Sequence, residues 1–176
     1  KVLDNVAAVS CGSSRAAAIK TDGSLWMWGY NSTPDVLDDT VYLGGSYQAV
    51  PVKIMDDVTA VSCGSGHTAV IKTDGSLWTW GDNDYGQLGN SDSAEASPVP
   101  AKVMDGAAAI NCGNGYTAAV KADGSLWMWG DNEFGELGVS GGNAKVNFYS
   151  KSGDGSFSVQ TIPAKLMDGV AAVGCG

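Results

Sequence analysis

Few residues of this 176-residue chain carry side chains that could do chemistry, and most of those recur at fixed places. His67 is the one histidine. A nucleophilic triad or a metal centre would need it beside a nucleophile, an orienting carboxylate or further ligands, and its sequence neighbours supply none of these. Cys11, Cys63, Cys112 and Cys175 each precede a glycine, and no CxxC occurs, so zinc is not indicated. Equivalent positions of successive repeats are one repeat displacement apart. A disulfide needs Cα atoms within roughly 7 Å, so the four read as buried, reduced, small hydrophobes. Asp82-Asn83-Asp84 and Asp131-Asn132-Glu133 offer oxygen atoms to a cation, yet a calcium loop needs about six or more oxygens in a set pattern that is absent here. Asn and Asp after Trp-Gly are also turn formers that bond their own backbone and tolerate the left-handed region. Residues 152–156, Ser-Gly-Asp-Gly-Ser, read as a flexible loop, because no phosphate-cradling lysine motif or following helix accompanies them. No catalytic residue, cofactor or metal ligand is expected.

Charge excludes further classes. Charged residues make up 16% of the chain and the formal net charge is −9, with Arg15 the single arginine. Nucleic acid is therefore not an expected partner, since phosphate binding needs clustered Lys and Arg. No run approaches the ~20 apolar residues of a membrane helix, so membrane insertion is not expected.

The elements that hold these residues are written as a repeat. Residues 6–31, 58–83 and 107–132 are three copies of one 26-residue unit, identical at 13 positions, and residues 170–176 start a fourth. In each copy an Asp-Gly pair (Asp22-Gly23, Asp74-Gly75, Asp123-Gly124) parts two apolar runs, which predicts a two-residue type I′ hairpin. Leu-Trp-x-Trp-Gly follows and is apolar on both faces of a strand, as in a sheet covered by sheets on both sides. An apolar segment containing Pro and Lys, then an Asp, closes each unit. Four strands per unit result, near 6–11, 15–20, 24–28 and 49–54 in the first copy. No stretch has helical periodicity. The fold class is all-β, a partial β-propeller of about three four-stranded antiparallel blades. One array over 1–176 is expected, with blades near 6–57, 58–106 and 107–169 and overhanging strands at 1–5 and 170–176. Because both overhangs fall within the periodic unit, the chain reads as a segment of a longer repeat protein. The rival is a fragment whose copies complete one another.

The run from residue 58 to residue 89, with CGxGHT, DGxLWxWG and GxLG in order, resembles the repeat of the regulator of chromosome condensation family, and the likeness covers essentially the whole chain. It implies a seven-bladed propeller closed by strands from both termini. The first copy departs from the pattern: residues 30–39, YNSTPDVLDD, stand where the second has Tyr85-Gly86-Gln87-Leu88-Gly89 and the third Phe134-Gly135-Glu136-Leu137-Gly138. The histidine of CGxGHT becomes Arg15 and Tyr116 in the other copies. The third copy gains a Gly/Ser-rich excursion within 139–160. Light sensing, known in this family, would need exposed Trp beside many Arg, so the Trp pairs read as core.

The loops between strands remain as the functional surface, since rigid scaffolds carry function on loops. Asp82, Asp84, Tyr85, Asp131, Glu133, Phe134, Phe148 and Tyr149 are the candidate partner-binding residues, the aromatics as anchors and the acids to steer a basic partner. The function expected is a non-catalytic protein–protein interaction scaffold. The alternatives are inhibition of an enzyme through the loop face and guanine-nucleotide exchange on a small GTPase. A protein partner is expected, and open blade edges also admit a second copy of the chain. The acidic, regular character suggests a bacterial protein, secreted or at the cell surface.

Overall fold

The computed structural model describes residues 1–31, 46–90, 96–138, 147–152 and 155–175, without the side chains of residues 31, 46–47, 147–152 and 155–158. Three antiparallel sheets follow one another. The first comprises β1 (Val6–Cys11), β2 (Arg15–Lys20), β3 (Leu25–Asn31) and β4 (Ser46–Met55), and the second β5 (Val58–Cys63), β6 (His67–Lys72), β7 (Leu77–Gly81) and β8 (Ser97–Met104). The third holds β9 (Ala107–Cys112), β10 (Tyr116–Lys121), β11 (Leu126–Asp131), β12 (Asn147–Ser152) and β13 (Gly155–Met167). The first two run in chain order, and the third in the order β12-β13-β11-β10-β9. This is the all-β, partial-propeller architecture read from the repeat. The third blade adds a fifth strand.

The core lies between blades. Ala17, Ile19, Leu25 and Met27 of the first sheet pack on Val58, Cys63, Val70 and Trp80 of the second. Ile71 and Leu77, on the other face of the second, pack on Ala107, Ala119 and Trp129 of the third. Neighbouring residues such as Val70 and Ile71 thus serve opposite seams, which is why Leu-Trp-x-Trp-Gly is apolar on both faces. Burying Trp80 and Trp129 completely makes each worth about 3–5 kcal/mol against alanine.

Several sequence expectations change. The Asp-Gly hairpins are not type I′. Gly23 N–H donates to Lys20 C=O and Lys20 N–H to Ser24 C=O, both at 2.9 Å, while only Gly23 takes positive φ (80°). This is a three-residue loop with glycine in the left-handed bulge position, the arrangement that leaves Asp at negative φ. The Asp22 carboxylate instead accepts from Ser24 N–H (3.0 Å) and Ser24 O–H (2.6 Å), and Ser24 Oγ accepts from Trp26 Nε1–H (2.9 Å). Asp74-Ser76-Trp78 and Asp123-Ser125-Trp127 repeat the chain of bonds.

Cys63 and Cys112 are buried as expected, but Cys11 is exposed and Cys175 half-buried; all four are free. The burial of this position comes from the preceding blade, and among the described residues none covers Cys11. The excursion of the third copy is partly ordered strand: Phe148 pairs with Ser158, Tyr149 with Phe157 and Ser152 with Gly155. Residues 1–5 and 170–175 form no strand, because a strand requires a ladder partner. Val170, Val173 and Cys175 nonetheless pack on the core of the third blade, and Val170 N–H donates to Gly124 C=O at 2.9 Å.

Candidate loop-face interface

Strand register sorts the connections to two ends of each blade. Arg15 pairs with Gly29, His67 with Gly81 and Tyr116 with Gly130. The Cys-Gly turns and the loops after Trp-Gly therefore leave at one end, here the loop end, and the Asp-Gly hairpins at the other. At the loop end Cys11-Gly12-Ser13, Cys63-Gly64-Ser65 and Cys112-Gly113-Asn114 line an open concavity of about 470 Å³.

The two family-like loops are rigid by construction. In the second blade Asn83 Oδ1 accepts from Leu88 N–H (3.0 Å) and Gln87 Oε1 from Tyr85 N–H (2.8 Å). Gly86 N–H donates to Asn83 C=O and Gly89 N–H to Gly86 C=O. Thr79 Oγ1 donates to Leu88 C=O at 2.8 Å. The third blade repeats the first two bonds, from Leu137 N–H to Asn132 Oδ1 (3.1 Å) and from Phe134 N–H to Glu136 Oε2 (3.0 Å). The turn reading of Asn83 and Asn132 therefore holds, through side-chain capping and not through the left-handed region, which neither occupies.

On these loops Asp82, Tyr85 and Asp131 are half-buried, while Asp84 and Glu133 are exposed. Asp131 Oδ1 accepts from Glu133 N–H at 3.0 Å, and burial raises its carboxyl above the usual range. Phe134 is 85% exposed. Tyr85, its equivalent, lies over Gly115 in the turn of the next blade. The loops thus bring Asp84, Glu133 and Phe134 to one end of neighbouring blades. Phe148 and Tyr149 sit on β12, with their side chains outside the described residues.

Gln87 and Thr117, whose roles sequence reasoning passed over, organise this end together with Trp129 and His67. Gln87 C=O accepts from Thr117 O–H (2.8 Å) and Trp129 Nε1–H (2.9 Å), both in the next blade. Thr117 Oγ1, having donated, accepts from His67 Nε2–H at 2.8 Å. His67 is fully buried, and burial followed by the nearby Arg15 charge lowers its pKa to about 3, so it is neutral. Its ring covers Gly64, where a Cβ would meet it at 2.6 Å; the glycine of CGxGHT is there to admit the ring. Arg15, equivalent to His67, is also buried. Recurrence of Gly-x-Leu-Gly marked the loop, but nothing in the sequence marks a backbone carbonyl as the contact.

Burial raises the thiol of Cys112 to about 12 and that of Cys175 to about 11, and raises Cys63 as well. Among the described residues no three His, Cys, Asp or Glu side chains group as metal ligands, and no helix is long and apolar enough to cross a membrane.

A three-blade array of this kind, with family-specific loops at one end, defines a propeller-repeat protein. The family profile described as Regulator of chromosome condensation (RCC1) repeat matches residues 6–33, 58–87 and 107–136, and a second profile of the same repeat matches 74–120. The chain belongs to this family. It is similar to the RCC1 domain-containing protein RUG3, mitochondrial, of Arabidopsis thaliana, 38% identical over 88 residues, which are 49% of this chain and 19% of that protein. It is also similar to the human E3 ubiquitin-protein ligase HERC2, 33% identical over 95 residues, 51% of this chain and 2% of that protein. Among solved structures, yeast RCC1 (Prp20) bound to Kap60 superposes with a TM-score of 0.75 at 19% identity, over 99% of this chain and 41% of that one. That likeness concerns the fold. The chain spans a fifth or less of the length of these curated relatives.

Proposed function

We propose that this chain is a non-catalytic protein-interaction platform that takes a basic protein partner at its loop end. The observation that carries the reading is Phe134, 85% exposed on a loop whose backbone is pinned by its own Asn132 and Glu136 side chains. An exposed aromatic on a rigid support is a low-entropy anchor of the kind that dominates interfaces. Glu133 beside it, Asp84 on the sister loop and the net charge of −9 favour encounter with a cationic surface. The yeast relative was solved with a protein, Kap60, bound, which supports a protein as the class of partner.

Non-catalytic action is supported by where the reactive groups sit. His67 is neutral and tied to Thr117. The Cys63 and Cys112 thiols are buried and held away from the thiolate, the form a nucleophile needs.

The test is affinity for a captured partner. Phe134→Ala is expected to weaken binding about tenfold or more. Glu133→Lys with Asp84→Lys should slow association and flatten its dependence on salt. Unchanged affinity and salt dependence in all of these variants would sink the proposal.

A further inference from the structure

Asn114-Gly115 is the one Asn-Gly pair in the sequence, and it stands in the Cys-Gly turn of the third blade. Asn114 is exposed and lines the loop-end concavity with Ser65 of the second blade. Across the seam, Ser65 O–H donates to Asn114 Oδ1 at 2.5 Å. The turn is pinned on either side: Gly113 N–H donates to Tyr116 C=O and Asp131 N–H to Gly115 C=O, both at 2.9 Å. Gly115 N–H donates to no acceptor among the described residues. Gly115 holds φ at 94°, and as glycine it has no Cβ to crowd its own nitrogen. Asn132 and Asn111 are guarded where Asn114 is not. Asn132 Oδ1 is held by Leu137 N–H, and the following Glu133 N–H donates to Asp131 Oδ1. Asn111 precedes Cys112, whose N–H donates to Ser62 Oγ at 2.9 Å.

The geometry points to Asn114 as a site of spontaneous deamidation, with the Ser65 hydroxyl of the neighbouring blade stabilising the charge that develops. Gly115 N gives its proton to solvent base and bonds to Asn114 Cγ. Charge collects on Oδ1, where Ser65 O–H already points, so that hydrogen bond strengthens as the tetrahedral intermediate forms. The Cγ–Nδ2 bond then breaks, solvent returns a proton to the departing nitrogen, and ammonia leaves a cyclic succinimide. Water opens the ring at one of its two carbonyls, to aspartate or to isoaspartate. The reacting groups belong to adjacent residues, so no encounter is needed, and the attack forfeits no hydrogen bond of Gly115 N–H. Aspartate leaves the main chain unchanged, whereas isoaspartate lengthens it inside a turn pinned on both sides. Either product adds one negative charge to the concavity of a chain whose net charge is −9. The change is slow, irreversible and written into the third blade alone, since the equivalent positions are Ser13 and Ser65.

The test incubates the full chain at neutral and at mildly alkaline pH, native and in urea, and follows deamidation site by site by peptide mass spectrometry. The native wild type is expected to react at Asn114 ahead of Asn111 and Asn132, and faster at the higher pH. Ser65→Ala should slow the native rate about fivefold, the worth of one hydrogen bond, and Ser65→Thr, which keeps the hydroxyl, should restore it. In urea, where the seam is gone, all three proteins should react at one rate. Asn114→Ser, which places the second blade's own residue in the turn, should remove the modification and its added charge. A native rate at Asn114 no higher than at Asn132, or a native Ser65→Ala rate equal to or above that of wild type, would overturn the proposal.

Discussion

Gln87 C=O, shared by Thr117 and Trp129, makes Thr117 the most exposed point of failure among single residues. Thr117→Val keeps the shape but strands His67 Nε2–H and removes one donor from the carbonyl in a buried seam. It should cost about 2–3 kcal/mol in urea unfolding, against under about 1 kcal/mol for Thr117→Ser. His67 gives a prediction in pH. Its folded pKa, about 3, lies below the ordinary 6.5, so the unfolded chain binds the extra proton between those values. Its contribution is complete above pH 6.5 and falls by about 1.4 kcal/mol per pH unit as pH drops toward 3. Asp22, Asp74 and Asp123, whose carboxyls are lowered chiefly by bonds from their serines, lose stability in the same direction. Comparing urea unfolding of His67→Gln with wild type at pH 4 and pH 7 isolates the histidine: the variant should show the shallower decline.

At the level of elements, the junction between blades depends on one left-handed residue. Asn5, Asp57, Gly106 and Gly169 occupy the same place after an aspartate, with φ of 56°, 64°, 76° and 76°. Sequence choice there is confined to the types that tolerate this region. Nothing lies within 4 Å of a Cβ built on Gly106, so only backbone strain is at stake. Asp57→Gly should therefore raise unfolding free energy by about 0.5–1 kcal/mol, and Asp57→Val lower it by about 1–2 kcal/mol. The strands and their order were legible because Leu-Trp-x-Trp-Gly is apolar on both faces, which only a sheet covered twice explains. The hairpin type was not, since an Asp-Gly pair serves two loop lengths and the Lys20–Ser24 pairing decides between them. Nor was β12: its Gly/Ser-rich surroundings read as loop, and the pairing with β13 that makes it a strand is tertiary. The candidate loops were legible from their recurrence. The difference between exposed Phe134 and half-covered Tyr85 was not, because the blade that follows sets it.

Across the whole molecule, much of the burial is made between blades, and the loop end takes part in it through Gln87 C=O and Tyr85, while Phe134 on the sister loop stays exposed. Phe134, Glu133 and Asp84 lie at that end, and the Asp-Gly hairpins with the exposed Lys53–Asp56 (2.8 Å) and Lys102–Asp105 (2.7 Å) ion pairs lie at the other. Such exposed pairs contribute little to stability. Exchanging Lys102 for alanine should leave both Tm and partner affinity close to those of wild type, in contrast to Phe134→Ala. The most direct measurement places a photo-crosslinking amino acid at 134 or 84, and in parallel at 22 or 105 on the opposite end. The account predicts that one and the same protein is captured from 134 and 84, and none from 22 or 105. Capture of that protein from 22 or 105, with none from the loop end, would contradict it.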